Sequence, residues 1–279
     1  MRILIIGGNR FVGKLVTKEL YTQGHDITVL NRTGTSPVEC NILECNRNIL
    51  KQFEEAIGDK TFDCVIDMCL YNLDQAKIST KVLQHRTHKY IFISSVAAYK
   101  QKNIWPIKET NALGGMEGFS NYGVDKALVE EYFKSIPNFP YINLRPTYII
   151  GKENHNYREQ YYFDMMIDNK PVDMGPEGDK IVSFVFADDV ANIICAFATL
   201  DSLIRESYNI NGDEHLTIEK FIRVISEVVD KDFTINKTQT PNKFKNVHLI
   251  FSNDKVKNRL KYKFKTLTKG LTEFYEYTY

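Results

Sequence analysis

The chain has 279 residues, 43% hydrophobic and 25% charged, with a net charge of +1, a balance that excludes a largely disordered chain. No run of 18 apolar residues occurs, so no membrane-spanning helix is expected, and the apolar run behind Met1 meets glycine too soon for a signal peptide. Five cysteines without a Cys-x-x-Cys pair predict reduced thiols in the cytoplasm, and six histidines in no ligand pattern predict no metal site.

Strand-like runs fall at Ile3–Ile6, Ile27–Leu30, Val65–Met68, Tyr90–Ile93 and Tyr141–Leu144, with amphipathic stretches at 12–22, 48–57, 73–84 and 122–135 between them. This alternation predicts right-handed βαβ units, hence an α/β fold with a Rossmann-like, doubly wound parallel sheet. Residues 1–150 are the expected dinucleotide-binding domain, joined by part of 183–210. From 151 the alternation fails. A tyrosine-rich stretch, 157–167, leads to the turn-rich KPVDMGPEGDK and then to SFVFADDVANIICAFA, where Asp188 or Asp189 is expected to cap a helix over 190–199. A second capped helix opens at Thr217. Residues 151–279 are expected to form mainly a smaller, interwoven substrate lobe. Its segment 231–270 holds 11 Lys/Arg against 2 Asp/Glu. Such a run is either a solvated face or a nucleic-acid contact, and the solvated face is the expectation.

The loop Gly7-Gly8-Asn9-Arg10-Phe11-Val12-Gly13 lies between the first strand and the first helix. Glycine there permits a tight turn and close backbone approach, and the helix-opening N–H groups face an anion. Gly7, Asn9, Arg10, Phe11, Val12 and Gly13 are therefore the expected cofactor cradle. Asn31 and Arg32 follow the second strand, where an NAD site usually carries an acidic residue for the ribose. A neutral Asn31 would not repel a 2′-phosphate, and Arg32, with Arg10, offers a guanidinium fork for it. NADP is expected in preference to NAD.

Two Tyr-x-x-x-Lys pairs occur, Tyr122/Lys126 and Tyr148/Lys152. A tyrosine near its ordinary pKa of about 10 needs a neighbouring ammonium to work at neutral pH, and i, i+4 spacing on a helix supplies one. Only the first pair opens a helical stretch; the second straddles the end of a strand. Ser94-Ser95 ends the strand beginning at Tyr90, where a hydroxyl can support a carbonyl oxygen. Arg158, followed by Tyr161, Tyr162 and Phe163, is either a phosphate contact with stacking rings or a surface arginine beside core aromatics.

Together, IIGGNRFVG, IFISSVAAY, SNYGVDK, LRPTYIIG and FADDVA resemble, in this order, the extended short-chain dehydrogenase/reductases, the NAD(P)-dependent epimerase/dehydratase group. Arg10 in place of the middle glycine is similar to its atypical branch, which includes chloroplast stem-loop RNA-binding relatives. The resemblance implies Ser95, rather than Ser94, as catalytic serine, Tyr122 as acid/base and Lys126 as its partner holding the nicotinamide ribose. It implies that Arg145-Pro146 through Gly151 passes the nicotinamide, with Pro146 against the cofactor and Ser95 toward the substrate, while Arg158 is a candidate substrate contact on its residue type alone. The family's sugar dehydratases carry an Asp-Glu pair where Val96 and Ala97 stand, so hydride transfer without dehydration is expected. The implied substrate is a polar or phosphate-bearing small molecule, foremost a nucleotide-linked sugar, turned over by a monomer or homodimer. The alternative is a cofactor-bound RNA-binding or scaffold protein.

Overall fold

The computed structural model describes residues 1–100, 104–202 and 205–279. The alternating half becomes β1 (Arg2–Ile6), α1 (Phe11–Thr22), β2 (Asp26–Asn31), β3 (Asn41–Glu44), α2 (Leu50–Ile57), β4 (Cys64–Asp67), α3 (Leu73–Leu83), β5 (Tyr90–Ile93), α4 (Ser120–Ser135) and β6 (Tyr141–Pro146). Then follow β7 (Tyr148–Ile150), α5 (Glu159–Ile167), β8 (Val172–Met174), β9 (Ile181–Phe186), α6 (Ala187–Thr199) and β10 (Glu206–Ile210). The chain ends in β11 (His215–Thr217), α7 (Ile218–Val229), β12 (Ile235–Lys237), α8 (Asp254–Leu260) and α9 (Leu267–Thr278).

Seven strands form one parallel sheet in the order β10-β6-β5-β4-β1-β2-β3. Strand order reverses between β1 and β4, and this is where a parallel sheet opens a crevice at the carboxyl ends of its strands. Alternate residues of β1 feed two cores. Ile3 and Ile5 pack with Val16 and Leu20 of α1 and Ile194 of α6, while Leu4 and Ile6 pack with Phe53 of α2, Leu83 of α3 and Phe133 of α4. With both faces covered, β4 is buried throughout, as a central parallel strand should be. A third core, around Tyr162, Phe184, Phe221 and Phe244, lies in the later part of the chain. Part of that later chain returns to the sheet: β10 pairs with β6, and α6 packs on α1.

Three details differ from the sequence reading. Edge strand β3 was not expected, because its mostly exposed residues carry no apolar alternation. The 190–199 helix begins earlier, at Ala187, and Phe186 sits at its cap position with no side-chain cap. Asp188 and Asp189 therefore lie in the first turn, where Asp189 accepts from the Tyr262 hydroxyl (2.8 Å) and the Lys265 N–H (3.2 Å). Thr217 does cap α7, accepting from the Lys220 N–H at 3.1 Å.

Candidate active site

Gly7 and Gly8 turn the chain from β1 into α1 at φ of +108° and +67°, conformations that favour glycine. A Cβ on Gly7 would sit 2.7 Å from Cys69 Sγ, and one on Gly13 would sit 3.0 Å from the Gly8 Cα. The loop therefore closes tightly on the helix. Arg10 holds the cap position in extended conformation without a side-chain cap, and Phe11 and Val12 begin the helix. Asn9 Nδ2 donates to the Thr35 carbonyl (2.7 Å) and Oγ1 (2.6 Å), while Asn31 Nδ2 donates to the same carbonyl at 2.7 Å. Asn31 Oδ1 accepts from the Thr33 N–H and hydroxyl, both at 3.0 Å. Asn31 is thus spent on fixing its own turn and pinning it to the glycine loop. Asn9 Oδ1 is buried without a partner among the described residues. Arg10 and Arg32 are exposed and form no ion pair among the described residues. A bare helix N-terminus, a loop that rejects Cβ atoms and an unpartnered acceptor fit a dinucleotide's pyrophosphate and ribose.

Across the crevice, β5 is followed by Ser94-Ser95, which lead into a 3-10 turn over Val96–Ala98. The two serines diverge. Ser94 is buried and donates to Glu130 Oε1 at 2.5 Å. Ser95 is half-buried, accepts the Ala97 N–H at 3.1 Å, and its side chain neighbours Tyr122. Tyr122 is 40% exposed as a residue, though protein atoms crowd its phenol. Burial pushes its pKa above the usual value, while the neighbouring Ser95 side chain and the Arg158 charge pull it back.

Lys126, one turn along α4, is 2% exposed. Its ammonium donates to the Leu70 carbonyl (2.5 Å) and the Ile93 carbonyl (2.9 Å) and lies 5.6 Å from the Tyr122 ring centroid. Burial lowers its pKa to about 8, against the opposing fields of Asp67 and Glu130. One turn further, Glu130 accepts from Arg145 Nε (2.9 Å) and Nη2 (2.5 Å), from Asn143 (3.1 Å) and from Ser207 (3.2 Å). This buried hub ties α4 to β5, β6 and β10. Arg145 consequently points into the protein, its Nη1 donating to the Tyr99 hydroxyl at 2.6 Å. Pro146 ends β6, buried and paired with Ile210.

The second tyrosine–lysine pair is not brought together. Tyr148 is buried among Phe184 and Phe244, its hydroxyl accepting the Lys245 N–H at 2.9 Å, and the Lys152 ammonium lies 4.7 Å from the Tyr277 ring centroid. Arg158 is half-buried over the Tyr148 ring, 4.9 Å from its centroid. Tyr162 and Phe163 are core residues, stacked on Phe244 and Tyr275.

The chain matches the NAD dependent epimerase/dehydratase family over residues 3–211. It belongs to that family. It is accordingly a nicotinamide-dinucleotide enzyme of the short-chain dehydrogenase/reductase type. Among solved structures it is similar to the Thermotoga maritima UDP-glucose 4-epimerase with UDP-glucose (TM-score 0.83, 21% identity, covering 99% of this chain and 98% of that one). It is also similar to a Bacillus anthracis dTDP-glucose 4,6-dehydratase in complex with NAD (TM-score 0.84, 16% identity, 100% and 97% covered). The chloroplast stem-loop binding protein of 41 kDa b of Arabidopsis thaliana is 23% identical over 98% of this chain and 78% of its own.

Several residues that shape the site of this epimerase/dehydratase-family chain escaped the sequence reading. Gly123 is one: a Cβ there would collide with the Ala97 carbonyl, so only glycine lets α4 bring Tyr122 onto the serine turn. Thr35, through its carbonyl and its hydroxyl, and Leu70, through its carbonyl, have no sequence signal. Glu130 had one, since it follows Lys126 by four on the helical face that also carries Tyr122.

Proposed function

We propose that the protein is an NADP-preferring oxidoreductase or epimerase that moves hydride at a carbinol or ketone carbon of a nucleotide-linked sugar. The observation that carries this reading is that α4 sets Tyr122 beside the Ser95 turn, with the Lys126 ammonium 5.6 Å from its ring centroid. Ser95 supports the substrate oxygen, and Tyr122 takes or returns its proton. With a pKa of about 8, Lys126 stays largely protonated at neutral pH, where its charge favours phenolate and its one remaining N–H serves the nicotinamide ribose. Gly7, Asn9, Arg10, Phe11, Val12 and Gly13 would hold the pyrophosphate and adenosine, and Pro146 would lie along the nicotinamide. When bound, the nicotinamide supplies the site that accepts and returns hydride. Residues 1–150 and part of 183–210 serve the cofactor, and 151–279 mainly the substrate, with Arg158 as the anion contact.

Val96 and Ala97, buried in the 3-10 turn, have no proton to move, which favours epimerisation or reduction over elimination of water. The sugar class draws on the activities named for the relatives. Preference for NADP draws on Arg32 and Arg10, both solvent-facing, and on the lack of a carboxylate at Asn31. The RNA-binding alternative draws less support, because a scaffold has no need of the Ser95, Tyr122 and Lys126 set, and part of the basic segment is met by acids from elsewhere: Lys255 by Glu206, Lys257 by Asp213, and Lys265 by Asp188 and Glu273. No helix among the described residues is long and apolar enough to cross a membrane. Five free thiols suit the cytoplasm.

The test combines cofactor calorimetry with a panel of nucleotide hexoses assayed for epimer interconversion. NADPH is expected to bind at least ~10-fold tighter than NADH, about 1.4 kcal/mol, with Arg32→Ala removing most of the gap. Equal affinities would discard the Arg32 assignment, and silence across the hexose panel in both directions would discard the substrate class.

A further inference from the structure

Lys126 is seated by two backbone carbonyls, and each belongs to a turn held by a buried ion pair. The Ile93 carbonyl precedes Ser94, which Glu130 and Arg145 anchor. On the other side, the Leu70 carbonyl closes the turn that leaves β4 at Asp67. We propose that Asp67, backed by Arg47, is a positioning residue that aims this turn at Lys126 and sets the charge the lysine meets. The proposal rests on the reading of Lys126 as the partner of Tyr122.

Asp67 is fully buried, and its carboxylate is surrounded by donors: Arg47 Nη1 at 2.8 Å, the Tyr90 hydroxyl at 2.5 Å and the Cys69 N–H at 3.1 Å. The Cys69 contact lies inside the turn and fixes its path one residue before Leu70. Arg47 arrives from the loop between β3 and α2, buried itself, with Nη2 on the Ser79 hydroxyl of α3. Burying a charge pair costs desolvation that a well-packed apolar pair avoids, so the pair does not recommend itself for stability alone. Its place explains it better. The groups facing Lys126 are Asp67 and Cys69 from β4 and its turn, Glu130 from α4, Arg47 from the β3–α2 loop, and the rings of Tyr71, Phe92 and Tyr122. Asp67 contributes the largest field favouring the ammonium, and Arg47 opposes it more weakly. Burial pushes the Cys69 thiol up, so it carries little charge at neutral pH.

The experiment follows the Lys126 side-chain amine by NMR of 15N-lysine-labelled protein, its signal assigned by loss in Lys126→Met. Wild type should titrate near 8. Asp67→Asn keeps an acceptor for Cys69 and removes the charge, and should lower the midpoint by about one pH unit or more. Arg47→Gln should raise it, and the alkaline limb of kcat/KM should move with each midpoint. A pair whose charges do not reach Lys126 would give no such opposition of sign. Unchanged midpoints in both variants, or shifts in one direction, would overturn the proposal. If either single variant fails to fold, the charge-neutral Asp67→Asn/Arg47→Gln protein decides: its midpoint must fall below wild type, because the stronger field is lost, and an unchanged midpoint sinks the idea. The titration needs no substrate, so full turnover in Lys126→Met would defeat the catalytic reading without touching this result.

Discussion

The two Tyr-x-x-x-Lys pairs carry the same letters and meet opposite fates. Tyr122 and Lys126 share a face of α4, and the Gly123 contact with the serine turn and the Glu130 hub hold that helix against the sheet. Tyr148 lies on β7, where i, i+4 residues have no common helical face, and Gly151 at φ +122° ends the strand before Lys152. One tyrosine keeps its phenol at the crevice beside a serine; the other gives its hydroxyl to a backbone N–H in a core. A spacing motif is chemistry only when an element aligns it and the tertiary contacts leave its polar atoms free.

Turnover is where the comparison should break most visibly. Tyr122→Phe removes one oxygen, and turnover is expected to fall by about 10²–10⁴-fold with cofactor affinity nearly unchanged. Tyr148→Phe should leave the chemical step intact; isotope exchange between cofactor and an accepted carbonyl compound measures both. The reverse pattern would mean that the wrong pair has been chosen.

The lysines sharpen the contrast through pH. Lys126→Met should damage both turnover and cofactor affinity, whereas Lys152→Met, on an exposed side chain, should damage neither. Folding lowers the Lys126 pKa from the usual 10.5 to about 8. Below pH 8 both folded and unfolded chains hold the proton, and the cost of a buried ammonium is present in full. Between about 8 and 10.5 the folded chain sheds a proton that the unfolded chain keeps, so this group's contribution to stability rises with pH. Relative to Lys126→Met, wild type should gain up to ~3 kcal/mol across that window, read from denaturant midpoints at stepped pH. A flat difference would show that the lysine is not desolvated.

The smallest effect belongs to the second pair. Tyr148→Phe leaves the Lys245 N–H without its acceptor and should cost about 1 kcal/mol of unfolding free energy, while Tyr122→Phe should cost little. Equal losses in thermal denaturation would mean that the two phenols are held alike.

Much of the parallel sheet was legible in the sequence because its strands are buried on both faces, and continuous apolar runs such as Ile3–Ile6 are hard to read otherwise. The glycine loop was legible for a related reason: a tight strand-to-helix turn admits few residue types. Strand β3 was not legible, since an exposed edge needs no apolar residues. The 187–199 helix was placed late because Asp188 and Asp189 read as caps, whereas tertiary contacts with Tyr262 and Lys265 claim them.

What the sequence determined alone was local: element types, the cofactor loop, and a helix that puts Tyr122 and Lys126 on one side. Partners were decided only by tertiary structure. Ser94 and Ser95 are adjacent and chemically identical, and nothing in their order says that one serves Glu130 and the other Tyr122. Asn31 could be read in sequence only as a neutral residue that would not repel a 2′-phosphate, and nothing in the letters ties its amide to Thr35. Arg145 and Glu130, Arg47 and Asp67 come from separate elements, and their pairing depends on how the helices cross the sheet. Backbone periodicity is a property of neighbours in the chain, but a hydrogen bond belongs to whichever donor and acceptor the packing brings within about 3 Å.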